Sequence, residues 1–174
     1  MAQFEYTEEK SKMPVSAPYD SVFLQKEWKI SLFVLRFSLG WLMFYAGITK
    51  VLNPEWSAAR YLANAKTFAG FYNWLLQPEL LPIVNFMNEW GLTLLGISLI
   101  FGLFVRLSSV AGAILMFLYY FPTLDFPYLD HSFIIDEHII YASALIFFAV
   151  VKAGRVWGLD NWCANLPICL KYPR

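Results

Sequence analysis

Eight polar residues sit in or beside apolar stretches that should exclude them, and their types suit proton handling and the holding of a polar ring or small anion. They are Arg36, Lys50, Asn85, Asn88, Glu89, Asp136, Glu137 and His138. Charge in lipid is costly, so such residues are expected to face protein or a wet recess and to mark a functional site. Glu89 and His138 are the expected catalytic pair, because a carboxyl group beside an imidazole can hold or relay a proton near neutral pH. Lys50 and Arg36 would contact ring oxygens or an anion, with Asn85 and Asn88 as the hydrogen-bonding lining. Plainer readings stand beside these. Lys50 can snorkel to water from a helix end, and Arg36 can serve a structural ion pair or bind backbone carbonyls. Glu89 can be half of a buried pair that fixes helix packing. Asp136 and Glu137 can be the acidic first turn that a helix dipole favours.

The elements that must carry these residues are four apolar stretches, about 30–52, 81–105, 107–124 and 133–151. A helix crossing the hydrocarbon core needs roughly 20 residues at about 1.5 Å each. The first stretch ends at Asn53-Pro54, a natural stop since proline restricts its predecessor. Residues 54–78 are too polar to span and too aromatic for a free loop, with Trp56, Tyr61, Phe68, Phe71, Tyr72 and Trp74. One or two short interfacial helices are expected there. The short turn from Arg106 to Ser109 predicts an antiparallel hairpin of the second and third spans. The fold class is therefore all-α: an integral membrane four-helix bundle with a short interfacial helical segment between the first two spans. It forms one domain (30–153), with a polar cytosolic leader (1–29) and a cytosolic tail (154–174).

Helical periodicity sorts the polar residues onto faces. Arg36, Gly40, Met43, Gly47 and Lys50 fall within a roughly 80° arc, which should point into the bundle. Asn85, Glu89, Leu92, Gly96 and Leu103 form a stripe on the second span, with Asn88 on its flank. The fourth helix, expected to open at Ile134, places His131 and His138 on one face and Asp136 and Glu137 away from it. Glu89 and His138 both lie near the outer end, which makes them expected partners.

Composition excludes other classes. The 174 residues are 59% hydrophobic, 15% charged and formally neutral, without a basic run, so no nucleic-acid partner is expected. Mean hydropathy is +0.50. The leader lacks the apolar region of a signal peptide. Cys163 and Cys169 match neither a CxxC redox pair nor a zinc knuckle and read as packed or reduced thiols. Four spans place both termini and the second turn on one side, together with most of the Lys and Arg, so the positive-inside rule puts both termini in the cytoplasm of a plasma-membrane protein. With His131 and His138 beside one helix, bis-His haem ligation is not expected. The Glu-x-x-His pairs of a carboxylate diiron site and the glycine loops of nucleotide sites do not occur, so no haem, metal or nucleotide is expected. Interfacial aromatics, a proton-handling group and a cation at one end are what a quinone site needs.

Several runs resemble the DoxX/DoxD family of membrane proteins. They are Leu35-Arg36-Phe37-Ser38-Leu39-Gly40 followed by Phe44, Gly47 and Lys50; Gly96 to Arg106; Ile135-Asp136-Glu137-His138 with Tyr141; and Gly154-Arg155-Val156-Trp157-Gly158-Leu159-Asp160. The resemblance implies a four-helix membrane bundle. In its DoxD branch it implies the membrane subunit of thiosulfate:quinone oxidoreductase, sharing catalysis with a separate partner subunit. Two functions follow as expectations: a quinone-linked oxidoreductase subunit, or a non-catalytic accessory or assembly subunit of a larger membrane complex. A small proton-linked transporter fits less well, since four spans without broken helices leave little room for alternating access.

Overall fold

The computed structural model describes residues 18–129 and 133–160, with no named strand among them; the leader through residue 17, His131, and the tail beyond 160 with Cys163 and Cys169 lie outside the described residues. The order is α1 (Pro18–Val51), α2 (Ala59–Ala63), α3 (Ala69–Leu75), α4 (Leu81–Phe101), α5 (Val105–Thr123), α6 (Glu137–Val150) and a 3-10 turn at Ala153–Arg155. Three of these helices are long and apolar enough to cross a membrane: α4, α5 and the Lys26–Val51 part of α1, while α6 is a shorter apolar helix. The chain is a helical membrane bundle.

Boundaries shift from expectation for local reasons. α1 starts at Pro18, twelve residues before the expected span, with proline at the first helical position where its missing N–H costs nothing. α4 stops at Gly102, whose φ of 67° is left-handed, so the tight turn is residues 102–104 rather than 106–109. α6 opens at Glu137, not Ile134. Asp136 caps it, its side chain accepting from the N–H groups of His138 and Ile139.

α1 packs most extensively on α4, and α5 on α6. The α1–α4 seam is set by the expected glycine face. A Cβ on Gly47 would lie 2.4 Å from the Thr93 nitrogen, and one on Gly96 2.3 Å from the Phe44 nitrogen, so only glycine permits this approach. Leu39, Met43, Leu92, Leu95, Leu99, Met116, Leu145 and Phe148 fill the core. Trp41, Leu94, Leu107, Ile114 and Val150 lie exposed on the outside, as lipid-facing residues should.

The interfacial segment does more than rest beside the bundle. Pro122 lies inside α5 and has no N–H for the Leu118 carbonyl four residues back. The Tyr72 hydroxyl donates to that carbonyl at 3.0 Å. The Lys66 N–H donates to the Pro122 carbonyl at 3.0 Å, the Thr67 hydroxyl to that of Leu124 at 2.5 Å, and the Tyr61 hydroxyl to that of Tyr119. The segment between α1 and α4 thus caps the C-terminus of α5, and a second apolar cluster of Ala58, Leu62 and Tyr72 holds it down.

Candidate functional site

Beneath this cap lies a cavity of about 590 Å³, at the end of the bundle opposite the α4–α5 turn. α1 contributes Lys50, α4 Asn88, α5 Tyr119, Pro122 and Thr123, and α6 His138; the interfacial segment supplies Trp56, Ser57, Ala58, Arg60, Tyr61, Asn64 and Lys66. No carboxylate is among these lining residues. Aromatic rings wall it, with Tyr61 and Tyr119 edge to face at 6.1 Å and Tyr119 and His138 at 5.8 Å. Such a space is the size and polarity of a small-molecule site.

His138 is the second residue of α6, so the helix start fixes it at the cavity wall. Its Nδ1 lies 2.7 Å from Asp136 Oδ2, while Asp136 Oδ1 accepts the N–H groups of His138 at 3.0 Å and Ile139 at 3.1 Å. The expected Glu89–His138 pair is therefore corrected. The imidazole's carboxylate partner is Asp136, on its own helix, and Asp136 does not point away from it. Glu89 is half-buried and absent from the cavity lining; its charge acts on Lys50 across the α1–α4 seam. The physical reason is helical phase. Asn88 faces the cavity, and one residue on, about 100° round, Glu89 turns toward α1.

Lys50 lines the cavity, with its ammonium 5.3 Å from the centroid of the Trp56 ring. Asn88 is buried, donates to the Val84 carbonyl at 2.8 Å and accepts from the Tyr119 hydroxyl. Asn85 lies behind the wall, accepting the Ala58 N–H at 2.9 Å and donating to Ser57 Oγ at 3.3 Å, so it shapes the segment that roofs the cavity. Burial raises the pKa of Tyr61, and Tyr72, Asp136 and Glu137 push the same way, which keeps its hydroxyl a donor.

Arg36 is not at this site. It is fully buried at the far end, where Nη1 donates to the carbonyls of Ala153 at 2.5 Å and Val156 at 3.0 Å, and Nη2 to that of Trp157 at 3.3 Å. Its guanidinium also stands 5.5 Å from the Phe33 ring centroid. Asp160 closes the same end by accepting the Phe104 N–H at 2.6 Å. Burial raises the Asp160 pKa against the hydrogen bonds from Phe104 and Val105 and the charges of Arg36 and Arg155. The carbonyl-binding reading of Arg36 describes this geometry. Tyr61 and Tyr119 are the site residues that sequence reasoning passed over, while Asp136, a candidate from the start, was expected to point away from His138; an Asp two residues before a His at a helix start was the available signal for their pairing.

Among the described residues, no group of three His, Cys, Asp or Glu side chains could hold a metal ion. Lys50 and His138 line a space with aromatic walls. A family model described as DoxX matches residues 31–123. No curated protein and no solved structure matches the chain.

Proposed function

Because the chain belongs to the DoxX family, whose model covers more than half of it, we propose that it is the membrane subunit of a quinone-linked oxidoreductase, with the cavity as the quinone-facing site. One observation carries this reading. A single recess brings together a cation, Lys50, an imidazole with a fixed carboxylate partner, His138, and the aromatic walls Trp56, Tyr61 and Tyr119. Reducing a quinone to its quinol takes two electrons and two protons. His138 would exchange protons at the ring nitrogen left free by Asp136, while Lys50, in the field of Glu89 and beside the Trp56 ring, would stabilise charge on a ring oxygen. Asn88 would hold the Tyr119 hydroxyl in place, and Asn85 the roof.

The electrons would come from a partner subunit acting on a small sulfur anion of the thiosulfate kind, two of which join through a new S–S bond as two electrons leave. The positive-inside rule supports a plasma-membrane orientation with both termini in the cytoplasm and the cavity on the outer face: Lys26, Lys29, Arg106, Lys152 and Arg155 lie toward the α4–α5 turn end.

The test is the purified complex. It should contain extractable quinone, and His138→Gln should lower quinone reduction about a hundredfold with the protein still accumulating in membranes. Glu89→Gln should lower it less, through Lys50. Absence of quinone together with unchanged turnover in His138→Gln would overturn the reading. One observation favours the accessory-subunit reading: Arg36, Asn85 and Asn88 all spend polar atoms on the chain's own backbone. Stoichiometric recovery in a complex whose activity ignores His138→Gln would establish that alternative.

A further inference from the structure

We propose that Asp136 is a positioning residue that locks His138 in the Nδ1–H tautomer and thereby makes Nε2 the proton-exchanging atom of the cavity. The carboxylate divides its work between its two oxygens. Oδ1 takes the N–H groups of His138 and Ile139 at the start of α6, and this fixes the side chain. Oδ2 is left for the ring nitrogen at 2.7 Å. The Asp136 side chain is only 9% exposed and the His138 side chain 22%, so water competes weakly for the contact. A carboxylate oxygen can only accept unless protonated, so the Nδ1 facing it carries hydrogen in the neutral imidazole, and Nε2 carries a lone pair. Tyr119 on α5 meets the ring edge to face, and the cavity the ring lines is also lined by Asn88 on α4, Lys50 on α1, and Tyr61 and Arg60 on α2. None of the hydrogen bonds found among the described residues engages Nε2. The proton carrier is thus a two-residue device on one helix, preassembled by helix capping.

A cap and a tautomer lock separate cleanly by substitution. Asn caps a helix about as well as Asp. With its oxygen held by the backbone N–H groups, the Asn amide would turn NH2 toward the ring and demand an acceptor there. Asp136→Ser keeps a capping oxygen and offers the ring nothing. The experiment is nitrogen NMR of histidine-labelled full-length protein in lipid nanodiscs, under alkaline conditions that leave imidazole neutral. The chain has two histidines, and His138→Gln assigns the signal. The native protein should show Nδ1–H almost alone. Asp136→Asn should invert the ring to Nε2–H, and Asp136→Ser should leave a mixture. A native Nε2–H ring, or a tautomer unchanged in both folded variants, would overturn the proposal and leave Asp136 as a cap only. The measurement needs no quinone, so it can fail or succeed apart from the proposed function. That function enters only through a second readout: Asp136→Asn should lose turnover like His138→Gln, while quinone recovered with the protein stays at the native level.

Discussion

Arg36 settles its own role by what surrounds it. A fully buried guanidinium needs acceptors, and its two Nη atoms find them in the Ala153, Val156 and Trp157 carbonyls, while Nε has none among the described residues. The fit leaves no slack: a Cβ on Gly158 would lie 2.2 Å from the Gly154 carbonyl oxygen and 3.0 Å from Arg36 Nη1. Arg36→Met is therefore expected to cost on the order of 3 kcal/mol, since it strands buried carbonyls without a donor. Gly158→Ala should cost a similar amount by pushing those carbonyls off the guanidinium. Thermal unfolding in detergent checks both, and quinone content should stay native in whatever fraction remains folded, because the cavity lies at the other end. An equal loss of quinone at intact stability would instead tie Arg36 to the ligand.

At the scale of elements, Pro122 explains why a polar-aromatic segment is needed between α1 and α4. Proline deprives the Leu118 carbonyl of its helical partner, and Tyr72, which is 3% exposed, replaces it. Tyr72→Phe should cost about 1 kcal/mol. In a Pro122→Ala background α5 regains its own N–H, so the same substitution should then cost little; equal costs in both backgrounds would mean the hydroxyl is not substituting for the helix bond. The sequence made the helices legible because burial in lipid demands long apolar runs, and Gly47 and Gly96 marked the seam because only close packing keeps glycine in such runs. Partners were another matter. Arg36 meets carbonyls 117 to 121 positions later, and no periodicity reports that. Glu89 and His138 were matched by depth, yet depth says nothing about azimuth, and one residue of helical phase separates Glu89 from the cavity wall that Asn88 lines. Asp136 was misread because a helix expected to open at Ile134 puts it on the wrong face; as the residue before the first turn it follows capping geometry instead.

On the scale of the whole molecule, two lengths fit together. From Lys29 to Lys50 α1 rises about 32 Å, close to the hydrocarbon thickness of about 30 Å, so these lysines mark the two interfaces. Arg36 then lies about 10 Å inside one of them, where no bulk water can reach it. α6 has 14 residues and spans about 21 Å, roughly 9 Å short of the same thickness. That shortfall is what lets the chain turn at Ala153–Arg155 while still at the depth of Arg36, so a short last helix and a buried cation are one design. The cavity, level with Lys50, sits at the opposite interface, lined in part by α2. The proposed orientation puts that interface outside. With Cys163 and Cys169 replaced by serine, a cysteine at the exposed Glu55 position should react with a membrane-impermeant thiol reagent added to intact cells, and one at the exposed Arg106 position only after the membrane is opened. The reverse pattern would place the cavity in the cytoplasm and require an electron donor there, while leaving the pairing of Arg36 with the short helix unchanged.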